Sequence, residues 1–204
     1  MKRNQYTLGK PISFKGNGLH SGIPVTLTMR PAPAGSGIIF RRIDLTGAPE
    51  VPAKSEFVTN TLRATTLERG DAKVFTVEHI LSALFALRID NCILEMDAPE
   101  PPVADGGALT FSQMILKAGI VELEKQTDIL TLETSVAVYE DNKFITALPY
   151  DGLRITFTSI NPHPLLGTQM KDFIIDKETY IREIAPSRTI GSVSYTHLTL
   201  PTIA

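Results

Sequence analysis

Two helix-period stretches, set into a chain otherwise written in short strands and turns, constrain the fold more than any other feature. The first follows Thr76-Val77-Glu78-His79 and carries apolar Ile80, Leu81, Leu84, Phe85 and Leu87, which stay on one wide helical face. It is predicted to run over about 76–87, with Thr76 as its N-cap. The second carries Leu109, Phe111, Met114, Ile115 and Ala118, and Gly119 suits the position just past its end. Residues 24–30 alternate apolar and polar as a half-buried strand does, and 37–42 form a short apolar run ending in charge. The proline- and glycine-rich stretch 31–37 between them is a loop. Weaker strands are expected at 62–67 and 73–75, around Arg69-Gly70-Asp71, and a buried strand at 92–96. A proline-rich loop over 98–107 leads into the second helix.

The second half repeats the theme with less helix. The polar stretch 122–128 is the candidate linker, and strands are expected at 129–138, 144–148 and 153–157, with a turn at Tyr150-Asp151-Gly152. After Asn161-Pro162-His163-Pro164, a strand and a short helix follow, the helix beginning near Asp176 and ending before Pro186. Strands then helices, twice, imply an α+β fold with two similar halves. No internal sequence repeat marks a duplication.

At 204 residues the chain holds one large domain or two small ones, with ample core. The net charge of -2 gives no electrostatic footprint for nucleic acid. The one cysteine, Cys92, excludes an internal disulfide and a thiolate zinc knuckle, and its strand context makes it a small core hydrophobe. The N-terminus shows no apolar signal-peptide core, and no apolar run approaches the ~20 residues that span a bilayer. A soluble cytoplasmic protein is expected.

Glu78 and His79 are the chemical candidates. Adjacent helical residues diverge by about 100°, so the two side chains cannot bind one ion side by side. They can serve one site, the imidazole on a metal and the carboxylate reaching the metal-bound water. They can equally be a first-turn acid complementing the helix dipole and a satisfied polar histidine.

Three stretches together resemble the UDP-3-O-acyl-N-acetylglucosamine deacetylases, zinc enzymes of bacterial lipid A synthesis. They are Gly16-Asn17-Gly18-Leu19-His20-Ser21-Gly22, Thr76-Val77-Glu78-His79, and Ile89-Asp90-Asn91 running on to Asp97-Ala98-Pro99-Glu100-Pro101-Pro102-Val103-Ala104-Asp105-Gly106. Arg30-Pro31-Ala32-Pro33 and Phe40-Arg41-Arg42-Ile43-Asp44-Leu45 match as well, and the likeness runs in order from Gln5 to about Gly191.

The resemblance implies two tandem two-layer sheet-plus-helix sandwich domains with the active site in the cleft between them. It implies one zinc held by two histidines and an aspartate, with water in the open position. Zinc polarises the acetamide carbonyl and acidifies the water, a glutamate takes the water's proton, and a distant histidine assists the oxyanion and leaving amine. By position His79 is the first zinc ligand, Glu78 the general base and Thr189 the threonine whose hydroxyl helps the oxyanion. His20 falls near the cleft, though alone it reads as a turn histidine. Leu62 is matched to contact with the substrate's acyl chain. His163, between two prolines, reads as structural, and Asp105 as a cap for the second helix. Three positions depart from the family: Gly107 where serine is usual, Ile190 where many carry phenylalanine, and Arg88 where glycine is frequent. If position 88 needs φ > 0, arginine there costs on the order of 1 kcal/mol.

The family's second and third zinc ligands come from a His-Lys-x-x-Asp motif whose i, i+4 spacing puts both on one helical face. No such motif occurs in this sequence, nor H-x-H, H-E-x-x-H or a counterpart of the distant catalytic histidine. From Val193 the run no longer resembles the family and reads as a non-native tail, or alternatively as a strand over 195–200, so His197 is not counted as a ligand. The expectation is a family member cut short: a first domain over 1–124, a partial second over 125–192, and the tail 193–204. The full-length protein is expected to be a monomer, and this chain inactive. The rival readings are a hydrolase using Glu78 without metal, for which no nucleophile setting exists, and a non-catalytic sugar-nucleotide-binding relative.

Overall fold

The computed structural model describes residues 2–162, 164–165 and 167–189. Its fold is α+β. Five strands form the central sheet in the order β2 (Ile12–Asn17), β3 (Pro24–Pro31), β9 (Cys92–Met96), β4 (Ile38–Arg42), β5 (Glu50–Pro52). All its pairs are antiparallel except β4 with β9. The period-2 alternation read at 24–30 is realised: Val25, Leu27 and Met29 point one way and are buried, as are Cys92, Leu94 and Met96 on β9. The opposite face is polar. There Arg30 pairs with Glu95 at 2.5 Å, and Arg41 bridges Glu95 at 3.1 Å and Glu50 at 2.6 Å.

Helices α1 (Glu78–Ala86) and α2 (Leu109–Ala118) cover the apolar face with Ile80, Ala83, Leu84, Phe111, Met114 and Ile115. A three-stranded sheet, β6 (Val58–Asn60), β7 (Thr66–Arg69) and β8 (Ala72–Phe75), adds Leu67, Ala72 and Val74 to the same core. Each large side chain fully buried there is worth roughly 1.5–3 kcal/mol. Gly119, at φ 80°, ends α2 in a conformation that suits glycine. Cys92 lies in the core, and burial pushes its thiol up to about 12.

The first strand, β1 (Lys2–Leu8), pairs with β10 (Ile120–Asp128). The polar stretch at 122–128 is therefore strand and not free linker. One of its charges joins the two strands: Glu122 accepts from Asn4 at 2.6 Å and from the Tyr6 hydroxyl at 2.9 Å. Asp90 ties β1 to the end of α1, accepting from Arg3 at 2.6 and 2.7 Å and from the Tyr6 amide at 2.8 Å. The Ile89-Asp90-Asn91 motif thus anchors the fold.

Beyond β10 come two separate hairpins, β11 (Val136–Glu140) with β12 (Lys143–Ala147), and β13 (Arg154–Ile160) with β14 (Thr168–Ile174). The strand expected from residue 129 begins at Val136, and the one expected from Leu62 begins at Thr66. Asp176 caps a short turn of helix, α3 (Lys177–Thr179), accepting from the Thr179 amide at 2.7 Å. The chain then widens into a π-type turn, Tyr180–Ile184, where Ala185 N–H donates to Tyr180 O at 2.8 Å. This segment packs on the first-half core: Tyr180 and Ala185 are buried, and the Tyr180 hydroxyl meets Ser82 Oγ on α1 at 2.7 Å. No helix among the described residues is long and apolar enough to cross a membrane.

Candidate functional site

Glu78 and His79 open α1, but Thr76 does not cap it as expected. Val77 occupies the flanking position, and Thr76 adopts φ 58°, a left-handed conformation that costs a β-branched residue about 1–2 kcal/mol. Its hydroxyl turns to Glu100 Oε1 at 2.7 Å instead. Arg88, at the other end of the helix, has φ 59°, so the position does take the conformation for which glycine is favoured.

His79 is half-buried in a small cavity lined by Leu19, Thr76, Pro101, Pro102, Val103 and Phe111. Burial lowers its imidazole pKa from the ordinary 6.5, against the opposing charges of Glu78 and Asp105. That burial favours the neutral ring, the form that ligates metal. Glu78 is exposed, and its Oε1 accepts the backbone N–H of Thr65. That bond ties the base candidate to the loop carrying Leu62, whose side chain is 81% exposed.

The other candidates converge on the same region. His20 is half-buried on the loop after β2, and its N–H donates to Glu100 Oε1 at 3.0 Å. Since Thr76 shares that oxygen, the His20 loop and the Glu78–His79 turn meet at one carboxylate. Thr189 reaches the site through its backbone, its N–H donating to Gly106 O at 2.8 Å beside Asp105. Asp105 is not the N-cap of α2, a position Ala108 takes without a side-chain cap, but its carboxylate accepts from the Thr110 hydroxyl at 2.9 Å and amide at 3.3 Å. Gly107 lies where a Cβ would stand 2.8 Å from the carbonyls of Ala185 and Ser187. His163, Ile190 and the tail fall outside the described residues.

Sequence reasoning quoted Glu100 only as part of a motif. The signal available was an acid among Pro99, Pro101 and Pro102 next to apolar sequence, a setting that buries a carboxylate only when donors await it.

The donor set does not fit a hydrolytic zinc. Such a site takes three protein ligands, whereas no group of three His, Cys, Asp or Glu among the described residues can hold a metal ion.

Comparison with known proteins places the chain in a family. The family model described as "LpxC: UDP-3-O-acyl N-acetylglycosamine deacetylase" matches residues 5–198. A bifunctional enzyme LpxC/FabZ of Chlorobaculum tepidum is 43% identical over 194 residues, covering 94% of this chain and 41% of that protein. A UDP-3-O-acyl-N-acetylglucosamine deacetylase of Legionella pneumophila (strain Corby) is 42% identical over 192 residues, or 93% of this chain and 63% of the relative. One from Myxococcus xanthus is 42% identical over 188 residues, or 92% and 60%. The chain thus spans less than two thirds of the length of these relatives. With the match running through both the His20 loop and the Glu78-His79 turn, the chain belongs to the UDP-3-O-acyl-N-acetylglucosamine deacetylase family.

Proposed function

We propose that this chain carries the first-half portion of a site that hydrolyses the N-acetyl group of UDP-3-O-acyl-N-acetylglucosamine to the free amine and acetate. The observation that carries the reading is the placement of an exposed Glu78 beside a half-buried His79 in the first turn of α1. Glu78 is the general base that takes a proton from the attacking water. His79 contributes one zinc ligand, and the Thr189 hydroxyl donates to the developing oxyanion. His20 is near the cleft and contacts substrate, and Leu62, exposed on its loop, meets the acyl chain.

The chain by itself does not turn over substrate. Its sequence offers His79 without the His-Lys-x-x-Asp pair that would complete the zinc site. The reading includes a first domain over 1–124, a partial second over 125–192 and a tail over 193–204, whose first residues the family match still covers. It also includes a cytoplasmic setting, where a UDP-sugar substrate is found, and a monomeric full-length form.

Acetate release tests this. The 204-residue chain with zinc should give no more product than its His79→Ala variant. Joined to the C-terminal portion of the Legionella deacetylase, it should release acetate and lose roughly 10²- to 10⁴-fold on Glu78→Gln. Turnover by the chain alone, or a joined protein indifferent to Glu78, would refute the assignment.

A further inference from the structure

We propose that Glu100 is a positioning residue for this site: its buried carboxylate locks the loop carrying His20 and the turn leading into Glu78 and His79 into one register. The inference rests on the functional reading above for the roles of those three residues; the geometry stands apart from it.

Glu100 is 0% exposed. A buried carboxylate is tolerated only when donors replace the water it has lost, and here they come from two separate parts of the chain. From the loop after β2, the His20 amide lies 3.0 and 3.1 Å from the two oxygens, and the Ser21 amide donates to Oε2 at 2.8 Å. From the entry to α1, the Thr76 hydroxyl donates to Oε1 at 2.7 Å. The fit on the loop side is close: a Cβ at Gly18 would stand 2.3 Å from both Glu100 Oε2 and Ser21 Oγ, so only glycine is accommodated.

The carboxylate is itself held from both sides. Pro99 O accepts from the Phe75 amide at 3.0 Å, and Val103 N–H donates to Asn17 O at 2.8 Å, with Pro102 bridged to Gly18. Three prolines with fixed φ stiffen the stretch. Glu100 therefore acts as a rigid bracket. On one arm it fixes Thr76 in the left-handed conformation that a β-branched residue otherwise avoids, and that conformation sets the direction in which Val77, Glu78 and His79 leave β8. On the other arm it fixes the backbone of His20. Glutamine cannot do the same, because its amide group aims N–H donors where three donors already point.

Amide spectra and exchange of the full 204-residue chain, recorded without metal or substrate, test the bracket. In Glu100→Gln the His20 and Ser21 amides should lose their carboxylate-bound downfield shifts and exchange roughly 10- to 100-fold faster. The Glu78 and His79 amides, which are not among its donors, should shift as well. Thr76→Val should reproduce the change at Glu78 and His79, and Thr76→Ser, which keeps the hydroxyl, should retain the native positions. Should Glu100→Gln fail to fold, the valine–serine comparison decides alone. A lowered unfolding midpoint with the Glu78 and His79 amides unmoved, or serine behaving as valine, would overturn the positioning role and leave the deacetylase reading intact. Failure of the acetate assay would leave these spectra just as informative about the bracket.

Discussion

The central sheet and the later hairpins share an alphabet but not a fate. Phe40 and Leu27 on the sheet are fully buried, whereas Ile145 and Phe157 on the hairpins are 78% and 64% exposed. Both regions alternate β-branched and aromatic residues with polar ones, so strand propensity does not separate them. Cover does. The sheet has α1 and α2 across its apolar face, while β11–β14 form two unconnected hairpins that carry Val138, Ile145, Ile155 and Phe157 outward. Among the described residues beyond β10 only Tyr180 and Ala185 are buried, and Tyr180 reaches burial by leaning on α1 of the first half.

That contrast can be broken most forcefully by truncation of single side chains. Phe40→Ala should cost about 3–5 kcal/mol in urea unfolding, and Phe157→Ala should stay within about 0.5 kcal/mol. Similar costs at both positions would mean that the hairpins belong to the cooperative core. Next, the exposed hairpin faces should bind an apolar dye, and Ile145→Lys with Phe157→Lys should remove most of that signal. Dye binding insensitive to these changes would place the apolar surface elsewhere. A smaller effect is expected at the seam: Tyr180→Phe loses the bond to Ser82 and should cost about 1 kcal/mol. An unchanged midpoint there would show that the later segment is not held by its hydroxyl.

The smallest effect concerns pH. Burial keeps the folded pKa of His79 below 6.5, so between the two values the unfolded chain binds more protons and stability rises with pH. The stabilisation is complete above pH 6.5 and is lost as pH falls through the folded value. His79→Gln should flatten this part of the profile. An identical pH dependence in the variant would contradict the buried, neutral imidazole.

Much of this was legible because local chemistry and tertiary environment agree. Residues 24–30 alternate and are half-buried, Asp176 caps a helix, and Gly119 stops one. The misreadings occurred where a distant partner overrides the local signal. Thr76 looks like an N-cap until Glu100, 24 residues on, claims its hydroxyl. Residues 122–128 look like a linker because the strand that pairs them lies more than 110 residues earlier, at the start of the chain. At the site, Glu78 and His79 are visible as a pair with two meanings, and the structure adds a small, mostly apolar cavity around His79 that Glu78 does not line. Glu100 was hidden because a single acid carries no periodicity and its donors lie at residues 20, 21 and 76.

Zinc uptake by the purified chain probes the proposal that His79 by itself does not complete a hydrolytic metal site, which takes three protein ligands. Equilibrium dialysis should leave only substoichiometric zinc, with no difference between the native chain and His79→Ala. One tightly held zinc per chain, lost on replacing His79, would contradict it.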